Sequence, residues 1–422
     1  MGLGHFGGGA AAARWLASQG AIVTVTDLAD ETTLAAALQS LAAVPIAAFH
    51  LSGHREEDFC RADLVVVNPA VRPKNAWLAI ARENGVRLTT EIDLFLDACP
   101  AASIGVTGSN GKSTTAAMIA AILKAGGRRT WLGGNIGGSL LEHLDEIRPD
   151  DAVVIELSSF QLSYLRPETR VPHIGVVTSF SANHLDWHAG MNEYAAAKQT
   201  LLQRQRPDDS AVLNTHDRRL ASWDGTVRGR LLPLVADGAL SRLPVPGWHN
   251  RMNAACAATA ALAARCSRDA IDRGLQSFRG LPQRMELIAQ VKDRTFYNDS
   301  TSTTPESTIA ALESIGQPTF ILAGGHDKGF DFTEMVETIG RTAVGSAFFG
   351  EIGLRLHDRL LASHVDCASI AVPTLDEALD WCWHNSQPGD AIVFSPGCSS
   401  HDQFRNFRER GERFEELVRR LA

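Results

Sequence analysis

GVTGSNGKSTT, residues 105–115, decides how this chain is read. An apolar, β-branched run (ASIGVTG) leads into it, and a helix-forming run (TTAAMIAAILKAGG) leads away from it. A strand, a glycine turn and a helix opening on Lys-Ser-Thr form a phosphate cradle. The backbone N–H groups of such a turn point at the anion, the lysine reaches the terminal phosphates, and the hydroxyl after it suits Mg²⁺. The strict spacing, G-x-x-x-x-G-K-[ST], would need glycine at 106, where Val106 stands. The compact form is present instead, with Gly108, Ser109, Asn110, Gly111, Lys112, Ser113 and Thr114 as candidate phosphate-binding residues.

Working outward, the chain has 422 residues, enough for two or three domains. With 45% hydrophobic and 21% charged residues it is globular in composition. A net charge of −8 argues against nucleic acid as a partner. No run of 18 apolar residues suggests a membrane span. The cysteines (60, 99, 256, 266, 367, 382, 398) are odd in number, scattered and free of C-x-x-C, so a reducing cytoplasm is expected.

Strand and helix signals alternate throughout, so the expected fold class is α/β, with three successive α/β domains at 1–97, 98–280 and 281–422. AIVTVTD (21–27) and DLVVVNP (63–69) read as strands of the first. DAVVIEL and HIGVVTSF join the phosphate-loop strand in the second, whose sheet is expected to be mostly parallel. TFYND, PTFILAGG, SAFFG and DAIVFSPG are strands of the third. Gly2, Gly4 and Gly7 of MGLGHFGGG spell G-x-G-x-x-G, a nucleotide-turn pattern, but no strand precedes it. The first strand of that domain is therefore expected to lie upstream of Met1. One alternative uses this turn and Asp27 for NAD in an oxidoreductase, which leaves Gly108–Ser113 without a role.

Other polar groups sit at strand ends. Glu156 ends a buried run and could hold Mg²⁺ or be a solvated strand-end carboxylate. His184, Asp186 and His188 cluster before a helix, as metal ligands or, for Asp186 and His188, as its caps. Lys198 alone reads as a surface lysine. Asn250 and Asn253 share a helix face, as ligand contacts or caps. Asp299, Lys328, Ser399, Ser400 and Phe407 mark glycine-flanked loops of the third domain. The charged final helix (RNFRERGERFEELVRRLA) reads as a solvated face.

Taken in order, TGSNGKST, ELSSFQL, NHLDWH…Y…AK, HNRMNA, GLPQR, YNDS, GGHDKG and SP..SS.DQF.NF.ERG resemble the Mur ligase family, in particular its branch that adds D-glutamate to UDP-N-acetylmuramoyl-L-alanine. The resemblance implies a Rossmann-like UDP-binding domain, a central P-loop ATPase domain and a Rossmann-like C-terminal domain. It also implies a cytoplasmic, monomeric ligase of peptidoglycan precursor synthesis that uses ATP and two Mg²⁺ ions and forms an acyl phosphate. By the same resemblance, Lys112, Ser113 and Thr114 hold ATP phosphates and Mg²⁺, and Glu156 and His184 are Mg²⁺ ligands. Lys198 becomes a carbamylated lysine on the second ion. Asn250, Asn253, Arg284 and Asp299 contact ATP. Gly4, His5, Thr26, Asp27, Asn68, Asn135, Ser158 and Gln161 contact the UDP-sugar, and Thr303, Lys328, Ser400 and Phe407 form the glutamate pocket. Three positions depart from the family: Thr301 replaces a lysine, Asn183 an acid and His401 a leucine. Thr301 and His401 lie at the amino-acid site and leave L-glutamate as an alternative substrate; another Mur step or a folylpolyglutamate-type ligase on the same scaffold is a separate alternative.

Overall fold

The computed structural model describes residues 1–4, 7–181, 183–184, 187–235, 243–245 and 247–421. They form two compact units, Met1–Arg242 with Met252–Gln276, and Leu243–Arg251 with Ser277–Ala422.

The first unit is built on six parallel strands, in the order Arg230–Leu232, Ser210–Leu213, Ile174–Val177, Ser103–Thr107, Ala152–Glu156 and Thr130–Gly134. The inner strands are buried throughout, as parallel strands covered on both faces must be. Helix Lys112–Ala125 packs on this sheet through Met118, Ile119, Ile122 and Leu123. The N-terminal region adds two parallel pairs, Val23–Thr26 with Ile46–His50 and Leu64–Val66 with Arg87–Thr89. Met1 and Gly2 bond to both pairs: Gly2 N–H donates to Thr26 O, Met1 N to Val66 O, and Asn68 N–H to Met1 O. N-terminal Ala12, Ile92 and Phe95 share one apolar cluster with Leu141, Val153 and Ile155 of the central region.

The second unit holds another six-stranded sheet: Glu286–Val291, Arg294–Asn298, Ala391–Phe394, Thr319–Gly324, Gly345–Phe349 and Ala368–Val372. Only the first strand pairs antiparallel. Phe296, Phe349, Phe394 and Phe414 anchor its core. The final helix, Phe407–Arg419, corrects one expectation. Its charge run is not all solvated, because Arg410 is completely buried. Among the described residues, no helix is long and apolar enough to cross a membrane.

Candidate active site

In the first unit the candidate residues gather at the carboxyl ends of the parallel strands, where open α/β sheets place their ligands. Strand register puts Val106 and Gly134 on either side of Glu156, and Val177 beside Thr107. Gly108 has φ +150°, and a Cβ there would lie 2.1 Å from Thr178 Oγ1. Gly111 caps the helix at φ +81°, and a Cβ there would meet Asn253 Oδ1 at 2.3 Å. Both positions therefore need glycine. The turn is also tied down from outside. Ser109 N–H donates to Ser179 O (2.9 Å), Asn110 N–H to Ser179 Oγ (2.8 Å) and Thr178 Oγ1 to Asn110 O (2.5 Å). Sequence reading missed Thr178 and Ser179, whose only signal is that they follow a buried strand. Lys112 Nζ donates to Ser109 O at 2.9 Å.

Lys198 lies on helix Met191–Gln203 and is 1% exposed, so the surface reading of its side chain is corrected. Its Nζ donates to Gly108 O (2.8 Å) and sits 4.5 Å from the Tyr194 ring centroid. Tyr194 OH in turn meets Ser109 Oγ at 3.0 Å. Burial, aided by the Lys112 charge and opposed by Glu156, pushes the Lys198 amine down to about 6. It is therefore mostly neutral at pH 7 and nucleophilic, and a neutral amine can still donate to the Gly108 carbonyl.

Glu156 is 2% exposed. Asn135 Nδ2 donates to its Oε1 at 2.9 Å, while Oε2 is buried without a hydrogen-bond partner. An orphaned anionic oxygen is costly unless something satisfies it, and a hard cation is a fitting partner. Among the described residues no three His, Cys, Asp or Glu side chains cluster as a metal cage. An ion at Glu156 would draw its further oxygen ligands from hydroxyls, water or a bound phosphate rather than from a carboxylate cage.

His184 has φ +53° and sets its ring edge-on to Phe160. His188 does not cap the following helix, whose N-cap is Gly190 with no side-chain bond. It is buried, its Nε2 lies 2.9 Å from Ser159 Oγ, and it packs against Phe160, Trp187 and Tyr194. Asp186 lies outside the described residues. Ser158 and Gln161 form a capping box on helix Ser159–Tyr164.

The N-terminal candidates also meet. Asp27 Oδ2 accepts from Leu3 N–H (2.7 Å) and Gly4 N–H (3.4 Å). Asn68 Nδ2 donates to Gly2 O, and Thr26 Oγ1 lies 2.7 Å from His54 Nδ1. His54 was not foreseen. His5 lies outside the described residues.

In the second unit, loops after the strands converge on Asp299. This carboxylate is 3% exposed and accepts from Ser302 Oγ, Ser395 Oγ (2.7 Å) and Met285 N–H (3.0 Å). Burial raises it to about 6 despite those donors. Arg410 Nη1 donates to Cys398 O and Nη2 to Ser300 O, so one guanidinium joins the two loops that carry Thr303 and Ser400. Ser400 is buried, Thr303 and Phe407 are half-buried, and Lys328 and Arg284 are exposed. Asn250 and Asn253 are buried on helix Trp248–Ala263.

Three family models match in order: Mur ligase MurD-like, N-terminal domain, over residues 1–90; Mur ligase middle domain over 106–237; and Mur ligase, glutamate ligase domain over 283–398. The UDP-N-acetylmuramoylalanine--D-glutamate ligase of Roseiflexus sp. (strain RS-1) is 36% identical, over 99% of this chain and 97% of that protein. The chain belongs to the Mur ligase family. A second Mur ligase, the protein of the same name from Geobacter metallireducens, is 35% identical over 98% of this chain and 95% of its own length. The fold is similar to the crystal structure of UDP-N-acetylmuramate-alanine ligase MurC from Thermotoga maritima, with a TM-score of 0.62 at 19% identity, covering 100% of this chain and 98% of that one.

Proposed function

We propose that this Mur ligase joins D-glutamate to the alanyl carboxylate of UDP-N-acetylmuramoyl-L-alanine at the expense of ATP, in peptidoglycan precursor synthesis. The observation that carries the reading is the glycine turn at 108–111 held beside buried Glu156 and buried Lys198. The names of the similar proteins support the choice of substrates. We assign residues 1–97 chiefly to the UDP-sugar, 98–280 chiefly to ATP and 281–422 chiefly to glutamate, with some contacts crossing these bounds.

A carboxylate is a poor electrophile, so the ligase first converts it into an anhydride. An alanyl carboxylate oxygen attacks the γ-phosphorus and ADP leaves. The glutamate nitrogen then attacks the acyl carbon, inorganic phosphate leaves, and a proton is lost from nitrogen. Ser179 takes the N–H groups of Ser109 and Asn110, so the N–H groups at the start of helix Lys112–Ala125, with the Lys112 side chain, hold the phosphates and oppose the charge that builds on the transferring group. Ser113, Thr114 and Glu156 would hold one Mg²⁺, with His184 and Lys198 at a second. These ions supply charge stabilisation to phosphoryl transfer. The unpartnered Glu156 oxygen fits such an ion. The lowered Lys198 amine suits carbamylation: its nitrogen attacks CO₂, releases a proton and becomes a carbamate. In the first unit Asn253 is assigned to ATP, and Gly4, His5, Thr26, Asp27, Asn68, Asn135, Ser158 and Gln161 to the UDP-sugar. In the second, Asn250, Arg284 and Asp299 are assigned to ATP, and Thr303, Lys328, Ser400 and Phe407 to glutamate, where the Lys328 cation answers a carboxylate.

Thr301 and His401 depart from the family in the glutamate region, so L-glutamate is the competing substrate. The test is phosphate release from ATP with UDP-N-acetylmuramoyl-L-alanine and each glutamate enantiomer. The expected result is release only with the UDP-sugar and D-glutamate together. Preference for L-glutamate would overturn the stereochemical assignment, and equal release without the UDP-sugar the function itself.

A further inference from the structure

We infer that Asn135 is a positioning residue for Glu156, holding one carboxylate oxygen so that the other stays bare for a divalent cation. The inference rests on the proposed role of Glu156 and adds to the sugar-nucleotide contact that resemblance assigns to Asn135. Three observations carry it. Strand Thr130–Gly134 pairs with Ala152–Glu156 so that Gly134 stands opposite Glu156. Asn135, the next residue, then binds Glu156 twice, N–H to the backbone oxygen and Nδ2 to Oε1, both at 2.9 Å. Oε2 is left buried with no hydrogen-bond partner.

The approach is deliberate in the backbone. Gly134 has φ +94°, and a Cβ there would fall 2.4 Å from Glu156 O. Only glycine lets the chain turn closely enough for the next side chain to reach the carboxylate. The chemistry of the partner also matters. An ionised carboxylate only accepts, so the amide must present its NH₂. A lysine or arginine at 135 would hold the same oxygen while cancelling the charge a cation needs. A neutral amide fixes the carboxylate and leaves its charge intact. Asn135 is itself exposed, so it serves Glu156 from the solvent side without being part of the core.

The experiment measures Mn²⁺ binding directly, by water-proton relaxation of the full chain with the ATP analogue AMP-PNP, in wild type, Asn135→Ala, Asn135→Ser and Glu156→Gln. Asn135→Ala should weaken Mn²⁺ about tenfold, the effect of losing one hydrogen bond to a charged group. Asn135→Ser, with a shorter donor, should recover part of the loss. In turnover measured at saturating UDP-sugar, the Mg²⁺ concentration for half-maximal rate should rise in parallel with the loss of Mn²⁺ affinity. Circular dichroism checks the fold, and Asn135→Ser carries the comparison if Asn135→Ala is not native. Wild-type Mn²⁺ affinity in the folded Asn135 variants, with a loss in Glu156→Gln, would overturn the inference and leave the role of Glu156 intact. Wild-type affinity in Glu156→Gln, or no Mn²⁺ binding by the wild type, would overturn both.

Discussion

Asp299→Asn should make the second unit more stable near neutral pH. The carboxyl is buried and raised from 3.8 to about 6, with burial the largest cause and the Ser302, Ser395 and Met285 donors opposing it. Because its folded value exceeds its unfolded one, the folded state keeps a proton that the unfolded chain releases between those two values. The stability this group contributes is complete below 3.8 and is lost as pH rises through about 6. At 1.36 kcal/mol per pKa unit, the buried charge costs about 3 kcal/mol above pH 7, as an upper figure. Asparagine avoids that cost and can replace the bonds. Its oxygen accepts from Met285 N–H, and its NH₂ donates to the Ser302 and Ser395 hydroxyls, which rotate to accept. The gain should approach ~3 kcal/mol near pH 7.5 and fall to about half near pH 5. Hydrogen exchange of strand Ala391–Phe394, compared between variant and wild type at each pH, reads the stability of this unit without assuming that the whole chain unfolds in one step. The same variant should lose turnover, because the charge is assigned to ATP binding. Faster exchange in Asp299→Asn than in wild type at both pH values would refute the reasoning.

Wild-type protein incubated with ¹³C-bicarbonate should show a carbamate carbonyl signal by NMR, absent from Lys198→Ala, and Lys198→Ala should lose nearly all turnover without rescue by bicarbonate. A normal rate in that variant would remove Lys198 from the chemistry. Gly108→Ala places a methyl group against Thr178 Oγ1 in a conformation that alanine resists, so kcat/KM for ATP should fall by about a hundredfold or more. An unchanged value would mean that the turn does not hold the phosphates.

Much of the fold was legible because buried parallel strands are continuous apolar runs. ASIGVTG, DAVVIEL, HIGVVTSF and DAIVFSPG all contain strands of the two large sheets. Several of the missed strands lie at sheet edges or in short pairs. TWLGG (130–134) is half-buried and glycine-rich, ELIAQV (286–291) is half-buried and antiparallel, and Ala368–Val372 closes the far edge of its sheet. The phosphate turn was legible because its glycines, lysine and hydroxyls are adjacent in the chain. What holds the turn was not: Thr178, Ser179 and Tyr194 reach it only through the fold. Lys198 and Arg410 show the limit of reading charge as surface. Helical spacing cannot say that one side of Met191–Gln203 faces the turn, or that Arg410 bridges two buried loops. Asn135 and Glu156, 21 positions apart, likewise become partners only through strand register.

Oxygen transfer from substrate to phosphate is the most direct measure of the proposed chemistry. UDP-N-acetylmuramoyl-L-alanine labelled with ¹⁸O in both alanyl carboxylate oxygens is turned over with ATP and D-glutamate, and the inorganic phosphate is examined by mass spectrometry. An acyl phosphate predicts one ¹⁸O in each phosphate released, with the other retained in the new amide. Unlabelled phosphate, released at the rate of product formation, would contradict it.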